Sequence, residues 1–62
     1  MIIYLLHEEA LAIDLGRRSH GCLYVHRLDL GMACWIPRGL IRFRLNAEQM
    51  EEMAIHGHLP VH

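Results

Sequence analysis

Apolar and polar residues alternate in the last third of the chain and predict a strand there. In residues 40–45, apolar side chains at odd-numbered positions alternate with Arg42 and Arg44, the period-two pattern of a strand with one face in the core. The preceding Pro37-Arg38-Gly39 suits a three-residue hairpin loop, because proline presets the first turn position and glycine takes the left-handed conformation. We therefore expect residues 32–36 to pair with residues 40–45.

A second loop of the same kind, Asp29-Leu30-Gly31, is expected to join residues 22–28 to residues 32–36. The predicted neighbours are Val25 with Trp35 and His26 with Cys34. A slip of one residue would exchange the two faces of this three-stranded meander. The expected core face carries Leu23, Val25, Trp35, Ile41 and Phe43. The expected outer face carries Tyr24, His26, Cys34, Ile36, Leu40 and Arg42.

Alternation also favours strands in the first third of the chain. Leu11, Ile13 and Leu15 are each separated by one residue, which outweighs the helix preference of the neighbouring glutamates. We predict strands over residues 2–7 and 10–15. Residues 16–21 are bounded by glycines and are expected to form an exposed loop.

A helix is predicted over residues 47–56. Asn46 and Gln49 have the spacing of a capping box, and Gly57 suits the residue that follows the last turn. The residues expected to pack on the sheet are Met50, Met53 and Ala54. The whole pattern predicts one α+β domain over residues 1–62, a small antiparallel β-meander or partly open barrel of three to five strands with one C-terminal α-helix.

Composition indicates a self-associating protein of a reducing compartment. An apolar fraction of 53% and a mean hydropathy of +0.17 are high for 62 residues, and so short a chain buries only about 60% of its surface. We expect a homodimer to cover the remainder. Two cysteines are too few for a disulfide framework, which favours a cytoplasmic, intracellular location. The apolar residues 1–6 are too few to cross a membrane and lack a preceding basic residue.

Zinc binding is one alternative function. Its candidate ligands are His20, Cys22, His26 and Cys34, with a weaker set in His56, His58 and His62. Cysteine and histidine are the usual zinc ligands, but neither spacing matches a known zinc motif. We therefore expect neither a metal nor another cofactor.

Binding of single-stranded nucleic acid is a second alternative. Its candidate contacts are Arg17, Arg18, Arg38, Arg42 and Arg44, with Tyr24 as a stacking surface. A formal charge of −1 weakens this hypothesis, since arginines that alternate along a strand are usually only its solvated face.

A non-catalytic role is the main prediction. Cys34 beside His26 is half of a thiol active site, but a buried small hydrophobe is the commoner role of cysteine. We expect a small regulator or inhibitor that binds another protein, and its size alone suggests a phage or mobile-element origin. The residues predicted to contact the partner are Tyr24, Ile36, Leu40, Arg42, Arg44 and Ile55.

Overall fold

Five antiparallel strands and one helix make up the part of the chain described by the computed structural model, residues 1–57. The elements are β1 (Ile3–Leu6), β2 (Leu11–Ser19), β3 (Cys22–Arg27), β4 (Met32–Pro37), a 3-10 turn (Arg38–Leu40), β5 (Ile41–Arg44) and α1 (Ala47–His56). The strand order is β4-β3-β2-β1-β5, and the sheet does not close into a barrel. The predicted α+β class, with an open antiparallel sheet and a C-terminal helix, is confirmed.

The predicted pairing of β4 with β5 is wrong. These strands lie at opposite edges of the sheet, and β5 pairs with β1, where Tyr4 lies opposite Arg44. After Pro37 the chain makes a 3-10 turn instead of a hairpin loop, and the His7 amide donates to the Leu40 carbonyl at 3.0 Å. The turn thereby directs β5 to the open side of β1, whose Leu5 becomes fully buried.

The predicted register of β3 and β4 is wrong by one residue. The turn between them has four residues instead of three, because Arg27 pairs with Met32 and the Gly31 amide donates to the Arg27 carbonyl at 2.8 Å. Trp35 consequently lies opposite Tyr24, and Cys34 lies opposite Val25. Trp35, predicted in the core, is 46% exposed, whereas Ile36, predicted on the outer face, is only 2% exposed.

A bulge at Arg42 breaks the predicted alternation in β5. Ile41 lies opposite Leu6 and Phe43 lies opposite Leu5, so Arg42 is an extra residue with no partner in β1. Since consecutive residues of β1 point to opposite faces, Ile41 and Phe43 do so as well. The prediction that they share one core face is wrong.

The N-terminal strands are confirmed, with β1 and β2 covering most of the predicted residues 2–7 and 10–15. Residues 16–18 are exposed as predicted, but the predicted loop at 16–21 is wrong, because β2 continues through a bulge to Ser19. Only His20 and Gly21 remain as the turn, with φ angles of 49° and 77°. Left-handed conformation at both positions is what a two-residue hairpin turn requires.

The main core lies on one face of the sheet, here called the core face. Its buried members are Leu6, Ala10, Ala12, Leu23, Val25 and Ile36, with Tyr4, Cys34, Leu40 and Ile41 packed against them. Paired residues point to the same side of a sheet, so Tyr24, Trp35 and Leu5 lie on the opposite side, called the second face. Leu5 is nevertheless fully buried.

Helix α1 has the predicted bounds and caps. The Gln49 amide donates to the Asn46 side chain at 2.7 Å, and the Asn46 amide donates to the Gln49 side chain at 3.0 Å. Gly57 ends the helix in the left-handed conformation, with φ of 72°. Ala54 is exposed, so its predicted packing role is wrong; Met50 and Met53 are half-buried, and their predicted packing on the sheet stays a prediction.

Candidate functional site

One edge of the sheet is open, apolar and uncharged. Strand β4 pairs only with β3 among the described residues, and its sequence Met-Ala-Cys-Trp-Ile-Pro contains no charged side chain. Met32 and Trp35 on β4 are 56% and 46% exposed, and Leu28 and Leu30 in the preceding turn are 48% and 57% exposed. We call these four residues with the outer backbone of β4 the β4 edge surface.

The other edge of the sheet differs in charge. Two of the four residues of β5 are arginines, and Arg42 forms a bulge. Charged side chains and bulges are the features by which edge strands resist pairing with another chain. Strand β4 has neither, and its protection against pairing is limited to Pro37 at its end, so it is the less protected edge in the described part of the chain.

Trp35 of the β4 edge surface forms an aromatic pair with Tyr24. The rings of Tyr24 and Trp35 have centroids 4.9 Å apart and planes inclined by 46°. Arg17 is opposite Tyr24 on the neighbouring strand β2. The second face thus carries a row of one guanidinium, one phenol and one indole across three strands.

A polar cluster centred on Asp14 lies on the core face. Arg18 donates to both carboxylate oxygens, at 3.0 and 2.7 Å, and the Tyr4 hydroxyl and the Gly16 amide donate at 2.8 and 2.7 Å. These donors, Arg18 first, hold the pKa of the Asp14 carboxyl well below its usual range against the opposing effect of burial. Burial and the hydrogen bond to Asp14 raise the pKa of Tyr4.

Three arginines from different elements converge beside this cluster. A cavity of about 330 Å³ is lined by Tyr4, Arg18, Leu23, Arg38, Ile41 and Arg44. We call it the arginine pocket. Its position follows from the fold, because Arg44 lies opposite Tyr4 across the β1–β5 pair and the Arg38 amide donates to the Gly21 carbonyl at 3.2 Å. Arg44 also borders a second depression of about 440 Å³ beside Met50.

The three guanidinium groups of the arginine pocket are not equivalent. Arg18 is bound to Asp14, to the Arg17 carbonyl and to the Tyr4 hydroxyl, so its charge is compensated and most of its donors are occupied. Arg38 and Arg44 make no side-chain hydrogen bond or ion pair within residues 1–57. Two positive charges of the pocket are therefore not compensated by any residue from 1 to 57.

A second ionic cluster is centred on Arg27 and has a structural role. Arg27, 8% exposed, donates to both oxygens of Asp29 at 3.0 and 2.8 Å and to Glu8 at 3.1 Å. The contacts raise the pKa of Arg27, with Asp29 contributing more than Glu8, and lower that of Asp29. They connect the β1–β2 turn with the β3–β4 turn at the end of the core.

The structure does not bring the six predicted partner contacts onto one surface. Tyr24 is half-buried beside the β4 edge surface, while Arg42 and Arg44 lie on β5 at the opposite edge. Leu40 packs against the core, and Ile55 is 69% exposed on α1. The predicted exposure of Ile36 is wrong, because the corrected register buries it opposite Leu23.

The candidate zinc ligands are also separated. Cys34 packs against the core face, whereas His26 lies opposite Ala33 on the second face, so the predicted contact between them is wrong. No group of three histidine, cysteine or acidic residues suited to a metal forms within residues 1–57. His58 and His62 of the weaker set lie outside the described residues.

Sequence reasoning did not select Tyr4 and Asp14 as site residues. Both are distant in sequence from Arg38 and Arg44, and only the β1–β5 pairing joins them. One feature of the sequence could have identified Asp14. Asp14 is the single acidic residue in β2 and is followed two and four residues later by Gly16 and Arg18, which both donate to it.

Comparisons with known proteins yield no relative: no protein-family model, curated protein or solved structure matches this chain. In the part of the chain described here, no helix is both long enough and apolar enough to cross a membrane.

Proposed function

We propose that this protein is a small non-catalytic regulator or inhibitor that acts by binding another protein, and that the partner adds an extended apolar strand to β4. The observation that supports the proposal is the β4 edge surface, in which the outer edge of β4 has no partner strand among residues 1–57, the strand has no charged side chain, and Met32 and Trp35 are about half exposed. Strand addition takes its affinity from main-chain hydrogen bonds and its selectivity from alternate side chains.

The expected homodimer is assigned to the same edge. Strand β4 is itself an extended apolar segment, and two copies can pair antiparallel about a twofold axis, each presenting the same surface. Dimer formation and partner binding then compete for one edge. Under this proposal the chain is a cytoplasmic protein that exchanges its own second copy for a partner.

Light scattering during size-exclusion chromatography tests the assignment. We expect the wild-type protein to be dimeric and Trp35→Lys to be monomeric, because a lysine at an open edge opposes strand pairing. Leu15→Lys is the matched control, since Leu15 is 44% exposed against 46% for Trp35 but lies on the central strand β2. A Trp35→Lys protein that remains dimeric would refute the role of β4.

Partner binding is tested with the same two variants as bait in lysate of the native host, with and without nuclease. Partner capture should be lost with Trp35→Lys, retained with Leu15→Lys and unaffected by nuclease. The purified complex should contain one copy of this chain. Two copies in the complex would contradict competition between dimer and partner.

The predicted roles of Arg42, Arg44 and Ile55 in partner binding stay predictions. Arg42 and Arg44 lie on β5 at the opposite edge of the sheet, and Ile55 belongs to α1. Loss of capture with Arg42→Glu or Ile55→Lys, at unchanged circular dichroism, would move the partner site to β5 or α1.

Single-stranded nucleic acid is the second candidate because of the row formed by Arg17, Tyr24 and Trp35. Stacking of a base on an aromatic side chain contributes about 1–3 kcal/mol, and the adjacent guanidinium can neutralise a phosphate. Fluorescence anisotropy with labelled single-stranded DNA should then show affinity that falls steeply with salt and is lost in Trp35→Ala. Absence of binding at low salt excludes this candidate.

A further inference from the structure

The arginine pocket combines a positive rim with an apolar wall. Arg38 and Arg44 provide guanidinium donors, and Leu23, 4% exposed, and the half-buried Ile41 provide the apolar surface. The pocket's volume of about 330 Å³ is at the lower end of the range for small-molecule sites, which begins at about 300 Å³. The pocket opens beside β1, β2 and β5, and none of its lining residues belongs to β4.

The two positive charges of the pocket favour a doubly charged anion over a singly charged one. Asp14 compensates Arg18, which leaves the charges of Arg38 and Arg44 without a partner in residues 1–57. A phosphomonoester has a charge of about −1.5 to −2 at neutral pH, whereas a carboxylate has only one negative charge. The forked donors of two arginines also match the several oxygens of a phosphate.

The Tyr4 hydroxyl has a supporting role in this arrangement. Its proton is donated to Asp14 at 2.8 Å, so it offers no donor to an anion. Asp14 in turn orients Arg18 with two hydrogen bonds. Tyr4 and Arg18 therefore line the pocket beside Arg38 and Arg44, and their hydrogen bonds to Asp14 hold both side chains in place.

We propose that the arginine pocket binds a small organic phosphomonoester, with the phosphate between Arg38 and Arg44 and the organic part against Leu23 and Ile41. This site goes beyond the proposed protein-binding function, and none of its lining side chains belongs to the β4 edge surface.

Isothermal titration calorimetry with phenyl phosphate tests the proposal on the full-length protein. We expect saturable one-to-one binding, weaker binding of inorganic phosphate, which lacks the apolar part, and weaker binding of benzoate, which lacks the second charge. Arg38→Gln and Arg44→Gln should each weaken phenyl phosphate binding roughly tenfold or more, the typical effect of losing a charge-assisted hydrogen bond.

Arg42→Gln is the matched control, because it removes the same charge from the same strand as Arg44→Gln but Arg42 does not line the pocket. Its affinity should stay within about twofold of wild type, since an exposed charge outside the site is screened. No binding of phenyl phosphate, equal binding of benzoate, or an equal loss in Arg42→Gln overturns the proposal. Trp35→Lys should bind phenyl phosphate normally, so this test is independent of the β4 proposal.

Discussion

Arg18 donates two hydrogen bonds, of 3.0 and 2.7 Å, to the carboxylate of Asp14, although the two residues are only four positions apart on one strand. Residues four apart in a regular strand lie too far apart for a short contact of this kind. The bulge between Asp14 and Arg17 and the left-handed Gly16, with φ of 83°, shorten that separation. A local backbone irregularity thus allows the contact that holds Arg18 in the lining of the arginine pocket.

Acid should remove the stability that Asp14 contributes. Its folded-state pKa is lower than that of an unfolded aspartate, about 3.9, so the unfolded state binds more protons in acid. The contribution is therefore complete above about pH 5 and is lost as the pH falls through 3.9 toward the folded pKa. Urea unfolding from pH 7 to pH 2.5 should show this decline.

Asp14→Asn provides the comparison for that measurement. At pH 7 it should lower the free energy of unfolding by about 1–2 kcal/mol, because charged hydrogen bonds are replaced by weaker ones. The difference between the variant and wild type should shrink below pH 4. A constant difference across the whole pH range would contradict the proposed linkage.

Removal of Arg27 should destabilise the protein more than removal of either of its partners. Arg27→Met leaves two carboxylates without their cation and is expected to cost about 1–3 kcal/mol, less than for a fully buried pair, because Glu8 and Asp29 are 53% and 38% exposed. Glu8→Gln should cost less than about 1 kcal/mol, as for other surface ion pairs. Chemical denaturation of the variants gives the order, and equal losses would argue against a central role for Arg27.

The corrected register is tested by the same substitution at two isoleucines. Ile36→Val should lower the free energy of unfolding by about 0.5–1.5 kcal/mol, as for other buried methylene deletions, since Ile36 is 2% exposed. Ile55→Val at a position 69% exposed should have almost no effect. Iodide should also quench the fluorescence of Trp35, the single tryptophan. If Ile36→Val left the free energy of unfolding unchanged and iodide did not quench Trp35, the register predicted from the sequence would be the correct one.

The N-cap should control the helix content of the protein. Asn46→Ala removes the acceptor of the Gln49 amide and is expected to cost the helix about 1 kcal/mol. Because α1 has ten residues and no fully buried side chain, this loss should appear as weaker circular dichroism at 222 nm. Asn46→Asp retains an acceptor and should preserve the signal.

Elements governed by neighbouring residues were predictable from the sequence. The bounds of α1 follow from Asn46, Gln49 and Gly57, and the structure confirms all three roles. The existence of each strand followed from local alternation in the same way. Tertiary structure contributes little to either choice.

Register and long-range pairing were not predictable by the same reasoning. A three-residue and a four-residue turn before Met32 are both compatible with Asp29-Leu30-Gly31, yet they place Trp35 on opposite faces. Similarly, Pro37-Arg38-Gly39 fits either a hairpin loop or a 3-10 turn. Which one forms depends on the buried contacts that β5 gains beside Leu5 and Leu6, residues remote in sequence.

The arginine pocket could not be predicted for the same reason. Tyr4 and Arg44 meet only through the β1–β5 pair, and Arg38 arrives through the 3-10 turn. The sequence indicated a group of exposed arginines. It did not indicate that Arg18 is compensated and that Arg38 and Arg44 are not.

The pairing of β1 with β5 also fixes an order of events during synthesis on the ribosome. Three consecutive hairpins, from β1 to β4, can form while the nascent chain emerges. The outer side of β1 stays open until residues 41–44 leave the exit tunnel, because no earlier segment can fill it. Until β5 pairs with β1 the sheet has two open edges, and the pairing that completes the sheet joins its first strand to its last.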